Sequence, residues 1–101
     1  MNPAFAAFRA RVDAGELIDV TALLAAPDGW LKRACLVYLA RQDREVASDA
    51  ELELIARALG GKLATYIAGI LLMRRVRRDP SDAAARRDAA NFAQAWLAKR
   101  L

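Results

Sequence analysis

Residues 63–78, LATYIAGILLMRRVRR, constrain the fold more than any other stretch of this chain. Eleven residues suited to a protein core run directly into Arg74, Arg75, Arg77 and Arg78, with only Val76 between them. A helix that is apolar along most of its length and basic at one end must bury one part and offer the other. The apolar part has no polar side. Tyr66, Ile67, Ile70, Leu71, Leu72 and Met73 spread around the whole helical circumference at ~100° per residue. A small domain of five or six helices rarely surrounds one helix completely. Part of this surface is therefore expected to be covered by a partner or a second copy.

The rest of the composition agrees with helix. The chain is 56% hydrophobic but only 7% aromatic, and alanine supplies much of the difference. Alanine is the strongest helix former and allows close packing. Val, Ile and Thr are sparse, which disfavours sheet. A chain of 101 residues buries roughly 65% of its unfolded surface, enough for a core without disulfide or metal. These features predict an all-α protein, a compact bundle of five to six short, mostly antiparallel helices in a single domain over residues 1–101.

Local signals place the helices. Asn2-Pro3 is a cap followed by proline in the first turn, with Phe5, Phe8 and Val12 on one face and Gly15 as the stop. Residues 19–26 read as a short helix capped by Asp19, with Leu23 and Leu24 facing inward. Pro27-Asp28-Gly29 is a turn, and a third helix is expected over residues 30–44 with a buried centre from 34 to 40. Ser48 and Glu51 have capping-box spacing ahead of the stripe Leu52, Ile55, Ala56 and Leu59. Gly60-Gly61 ends that helix, and a fifth is expected over residues 62–78. Asp79-Pro80 breaks the chain, with Asp79 expected to cap a sixth helix from 80 to near 100. On that helix Ala85, Ala89, Phe92 and Trp96 share a face.

Across the 27–29 turn and the third helix, Pro27-Asp28, Leu31-Lys32, Cys35 and Tyr38-Leu39 form a pattern that resembles the second-helix signature of HEAT-type repeats. The resemblance covers about 13 residues, is not repeated elsewhere in the chain, and carries no functional residue over.

Charge is unevenly spread. The net charge is +4, with −1 on residues 1–50 and +5 on residues 51–101. Arginine outnumbers lysine 13 to 3, which suits recognition of carboxylate or phosphate and equally reflects a GC-rich, bacterial genome. The single Cys35 lies in an apolar run, as a buried structural thiol does, so a reducing cytoplasmic setting is expected. The start of the chain shows no signal-peptide pattern, and no apolar run reaches the ~20 residues of a membrane span.

Most chemistry is excluded by absence of the residues it needs. There is no histidine, hence no Ser-His or Cys-His pair and no imidazole ligand. One cysteine cannot build a thiolate zinc site. Gly60-Gly61-Lys62 lacks the first half of a phosphate loop and follows a helix rather than a strand. Asp43 and Glu45 flank a helix end, and Asp49, Glu51 and Glu53 crowd the start of the fourth helix, where the ordinary role of carboxylates is to favour the helix N-terminus. No enzyme activity, cofactor or metal is expected.

The basic corner is the leading candidate site. Taking ~100° per residue, Arg74, Arg75, Arg77 and Arg78 cover an arc of roughly 160°, with Val76 and Leu72 on the opposite side. Arg86 and Arg87 fall near the same corner if the chain folds back at Asp79-Pro80. Three readings are open: a solvated, partly salt-bridged helix end, a rim that faces an acidic protein, and a contact for nucleic-acid backbone. Against the last, no aromatic residues interleave the arginines for base stacking. Trp30, Tyr66, Ile70, Met73 and Trp96 are candidate interface anchors. The expectation is a small non-enzymatic interaction protein of adaptor, inhibitor or chaperone type. It would bind a protein partner or form a homodimer. The alternative is a nucleic-acid-binding protein.

Overall fold

The structure is a computed structural model that describes residues 2–42 and 45–100. Among the described residues there are six α-helices and no strand: α1 (Pro3–Asp13), α2 (Val20–Ala25), α3 (Trp30–Ala40), α4 (Asp49–Leu59), α5 (Gly61–Arg78) and α6 (Ala83–Arg100). The third helix is shorter than the expected 30–44: α3 ends at Ala40 with Arg41 as its C-cap, and the Gln42 side chain turns back to donate to the Tyr38 carbonyl at 2.8 Å. Asp43 and Arg44 lie outside the described residues.

The helix ends obey local chemistry. Asn2 Oδ1 accepts from the amides of Ala4 (2.9 Å) and Phe5 (3.2 Å), and Pro3 opens α1 where no donor is needed. α1 closes with Gly15 in the left-handed region, its amide on the Val12 carbonyl and the Glu16 amide on the Arg11 carbonyl. That is the paired reach-back of a Schellman end. Asp19 caps α2 through the Ala22 amide at 3.0 Å. At six residues α2 has little stability of its own. Lys32 compensates: its Nζ donates to the carbonyls of Leu24 (2.6 Å) and Ala26 (3.0 Å) and to Asp28 (3.1 Å). A cation on the last carbonyls of a helix is favourable. The Asp28 and Lys32 of the HEAT-like pattern thus serve a local turn.

Ser48 and Glu51 form the full capping box of α4. The Glu51 amide donates to Ser48 Oγ at 3.1 Å, and the Ser48 amide donates to Glu51 Oε1 at 2.9 Å. Ser48→Ala is expected to cost about 1 kcal/mol and to lower the melting temperature by about 4–8 °C. Thermal unfolding followed by circular dichroism checks this. A single residue, Gly60, joins α4 to α5, and both Gly60 (φ 64°) and Gly61 (φ 56°) have positive φ. Only glycine takes two such residues in succession without strain.

The start of α6 differs from expectation. Asp79 does not cap it. Asp79 ends α5 outside the helical region (φ −142°, ψ 86°), and its Oδ1 accepts from the Ser81 amide (3.2 Å) and hydroxyl (2.6 Å). Asp82 takes the capping role through the Ala85 amide at 3.0 Å. The helical region is disfavoured for a residue before proline. With its carboxylate held by Ser81, Asp79 leaves the cap to the next aspartate.

Val12, Val20, Leu36, Leu39, Ala40, Ala47, Leu52, Ile55 and Ile67 form one buried cluster, drawn from α1 to α5 and the 45–48 segment. Leu23, Leu24, Ala56 and Leu59 pack at its edge as expected. α1 packs on α3, and α5 packs most extensively on α4. α6 contributes nothing to this cluster and packs extensively only on α5. The two run antiparallel, since Arg75 meets Asp88 while Gly69 meets Phe92 further back along α5. The radius of gyration is accordingly 14.8 Å, against about 13 Å for a sphere-like chain of ~100 residues. α5 belongs to the core through Ile67, and α6 is held to the core chiefly through α5.

A candidate docking groove beside an internal arginine cluster

The four arginines of α5 do not form one exposed face. Arg74 is 4% exposed. Its Nη1 donates to the Ala47 carbonyl at 2.8 Å and to Asp49 Oδ1 at 3.0 Å. Arg78 donates to both Asp49 oxygens and to Glu45 Oε2 at 2.9 Å. Arg75 reaches Asp88 at 3.5 Å, a long and exposed pair. Val76 and Leu72, opposite the arginines on the helical wheel, are half-buried. The reason is positional. Ile67, Leu71, Arg74 and Arg78 follow one another at helical spacing on the side of α5 that faces α4, so the buried stripe continues into the arginines. The penalty for burying a guanidinium is offset by a carbonyl and a carboxylate placed to receive it.

Asp49 is the hub of this cluster. Hydrogen bonds from Arg78 first, and then from Arg74, hold its carboxyl below the ordinary aspartate value of 3.8, at about 2. The sign of the pH effect follows. Between these values the unfolded chain binds more protons than the folded chain, so stability rises with pH there. The contribution of Asp49 is complete above the ordinary value and is lost as pH falls toward 2. Asp49 is 38% exposed, so solvent screening keeps it modest. In Asp49→Asn, the slope of stability against pH between about 4 and 2 is expected to be shallower than in the parent chain. Urea denaturation at stepped pH measures it.

The remaining arginines have different fates. Arg77, Arg86 and Arg87 are exposed, and none pairs with a carboxylate among the described residues. Arg77 lies instead on the rim of a groove between α5, α6 and the end of α3.

That groove, about 560 Å³, gathers four of the five candidate anchors. Tyr66, Ile70 and Met73 come from α5 and Trp96 from α6, with Leu97 beside it. Tyr66 is 37%, Met73 48% and Leu97 58% exposed, so the apolar lining is open to solvent. The groove exists because α6 covers one side of α5 only. Its depth is set by Gly69, where the Phe92 ring lies against the α5 backbone. Phe92 in turn stacks on Trp96, with centroids 6.2 Å apart and planes 16° from parallel. Sequence reasoning did not single out Gly69. A glycine inside an otherwise strong helix was the available signal.

Trp30, the fifth anchor, lies elsewhere. It starts α3, is 62% exposed, and meets the Phe5 ring edge-on at 5.9 Å. Phe5 also meets Tyr38 at 6.1 Å, and the Arg9 guanidinium sits over both rings. The Tyr38 hydroxyl donates to Asp13. Cys35 is buried, and desolvation pushes its thiol above its ordinary value, away from the reactive thiolate.

Among the described residues no group of three or more His, Cys, Asp or Glu is placed to hold a metal ion, and no helix is long and apolar enough to cross a membrane. No protein-family model, curated protein or solved structure matches the chain.

Proposed function

We propose that the chain is a small non-enzymatic interaction protein that receives a protein surface across the α5–α6 groove. The observation that carries this reading is the apolar groove lined by exposed Tyr66, Met73 and Leu97 beside half-buried Trp96, where α6 packs extensively only on α5. Exposed apolar side chains gathered in one concave place, with arginines at the rim, mark interaction sites. Among the described residues the groove lining contains no carboxylate and no cysteine, and so no general base or nucleophilic thiol. Nucleic-acid binding is the weaker reading, because Arg74 and Arg78 already spend their donors on Ala47, Asp49 and Glu45.

Site-specific photocrosslinking tests it. A benzophenone amino acid at Met73, and separately at Leu97, is expected to give the same discrete adduct in the producing cell. The same group at Leu17, which is 95% exposed and outside the groove, is expected to give none. Equal labelling from all three positions, or none from the groove, would sink the proposal.

A further inference from the structure

The groove reading leaves open what fills it, and the charge of the rim narrows the answer. Two exposed arginines flank the groove where α5 ends: Arg77 on α5 and Arg41 at the C-terminus of α3. Neither pairs with a carboxylate among the described residues. Arg74 lines the same end, but its charge is already met by Asp49. At the other end lie Tyr66, Trp96 and Leu97, with no charged neighbour in the lining among the described residues. The site is thus polarised, apolar at one end and basic at the other.

Its length is also informative. From Tyr66 to Arg77 the floor follows α5 for roughly 16 Å, about three helical turns at ~1.5 Å per residue. A cleft walled by two helices and three turns long suits the apolar stripe of one more helix. A second copy suits it poorly. Groove-to-groove docking under two-fold symmetry sets Arg41 and Arg77 of each copy either against those of the other or against its apolar end at Tyr66, Trp96 and Leu97, and among the described residues neither arrangement brings a lining carboxylate to them.

We propose that the groove receives an acidic amphipathic helix of a partner protein, seated with apolar anchors toward Tyr66, Trp96 and Leu97 and carboxylates toward Arg41 and Arg77. This rests on the groove being the interaction site. Leucine or aromatic side chains at i, i+4 and i+7 supply the buried contact, and the two guanidinium forks select glutamate or aspartate at one end of the helix.

The test uses a displayed library of amphipathic helices about five turns long, with an apolar stripe fixed and all other positions free to be acidic, basic or neutral. Selection on the full chain is expected to enrich sequences with carboxylates clustered at one end. A labelled peptide made from the enriched set is then titrated by anisotropy against the parent chain and against Arg41→Glu/Arg77→Glu. Both residues are exposed, so the double variant is expected to keep the parent's helicity, with a melting temperature lowered only by the loss of two favourable charges at helix C-termini. Reversing the rim charge is expected to weaken the acidic peptide at least about tenfold, and to strengthen its lysine-substituted counterpart. Sedimentation of the chain alone across concentration is run alongside.

Enrichment without acidic bias, or affinity unchanged by the rim reversal, overturns the acidic helix. So does a concentration-dependent dimer abolished by Leu97→Glu, although that result keeps the groove as the interaction site. A monomer that enriches no helix at all overturns both.

Discussion

Arg74→Ala is expected to destabilise the chain by about 3 kcal/mol, far more than any other arginine substitution in the basic corner. The Arg74 side chain is 5% exposed and joins α5 to the α4 N-terminus and to the segment before it. Truncation strands the carbonyl of Ala47, a residue with no exposure, and leaves a void where the guanidinium stem had been. Breaking a fully buried ion pair typically costs about 3–5 kcal/mol. The lower end applies here, because Asp49 is partly open to water and keeps Arg78. Arg77→Ala, which removes no internal bond, is expected to change stability by less than about 0.5 kcal/mol. Arg74→Met fills much of the same volume but still abandons the Ala47 carbonyl, and it should fall between the two. Urea unfolding of the three variants, with unchanged dependence on denaturant, decides the order. Equal costs for Arg74→Ala and Arg77→Ala would mean that Arg74 is not an internal staple, and a continuous basic face would again be the better description.

The same residue marks the limit of what the sequence discloses. Caps are written within three or four residues of the ends they serve, so Asn2, Asp19, Ser48 with Glu51 and Gly60-Gly61 were legible as helix boundaries. So were the α4 stripe and the shared face of Ala85, Ala89, Phe92 and Trp96. Where two local solutions compete, the reading failed. Asp79 and Asp82 both qualify as caps, and the choice turned on which carboxylate Ser81 held. The fate of the arginines was not local at all. Apolar periodicity stops at Met73, yet the buried stripe of α5 runs on, because the partners that make burial tolerable lie on Glu45, Ala47 and Asp49. A helical wheel treats four neighbouring arginines alike. Tertiary structure divides them into one buried staple, one exposed network member, one weak pair and one rim residue. The groove was legible only in part. The excess of apolar surface on α5 pointed to it. Its shape depends on how α6 crosses α5 at one glycine.

Gly69→Val is expected to undock α6 while sparing the core. A Cβ at position 69 would lie 2.5 Å from Phe92 Cε1 and 2.9 Å from Cζ, well inside contact distance. Alanine alone would gain about 0.5–1 kcal/mol of helix stability over glycine, against about 1–3 kcal/mol for overpacking. The two nearly cancel if the ring can swing aside. Swinging is hindered because Phe92 is stacked on Trp96, so a small net loss is expected for alanine. Valine adds two methyl groups to the clash and gives back part of the propensity gain, so about 2 kcal/mol of α5–α6 packing is expected to be lost. α6 contributes no residue to the central cluster and packs extensively only on α5, and a helix in a protein draws most of its stability from such packing. The loss should therefore appear as local opening. Amide exchange should quicken across α6 and not in α3 or α4, and Trp96 emission should shift to the red. The groove should disappear with it, since Trp96 and Leu97 no longer face Tyr66. Phe92→Ala in the Gly69→Val background supplies the control, because removing the ring removes the clash. The double variant should lose less than the sum of the singles, with a coupling of about 1 kcal/mol or more. Additive losses, or unchanged exchange in α6, would show that the hairpin does not depend on the Gly69–Phe92 crossing. The groove would then need another explanation for its depth.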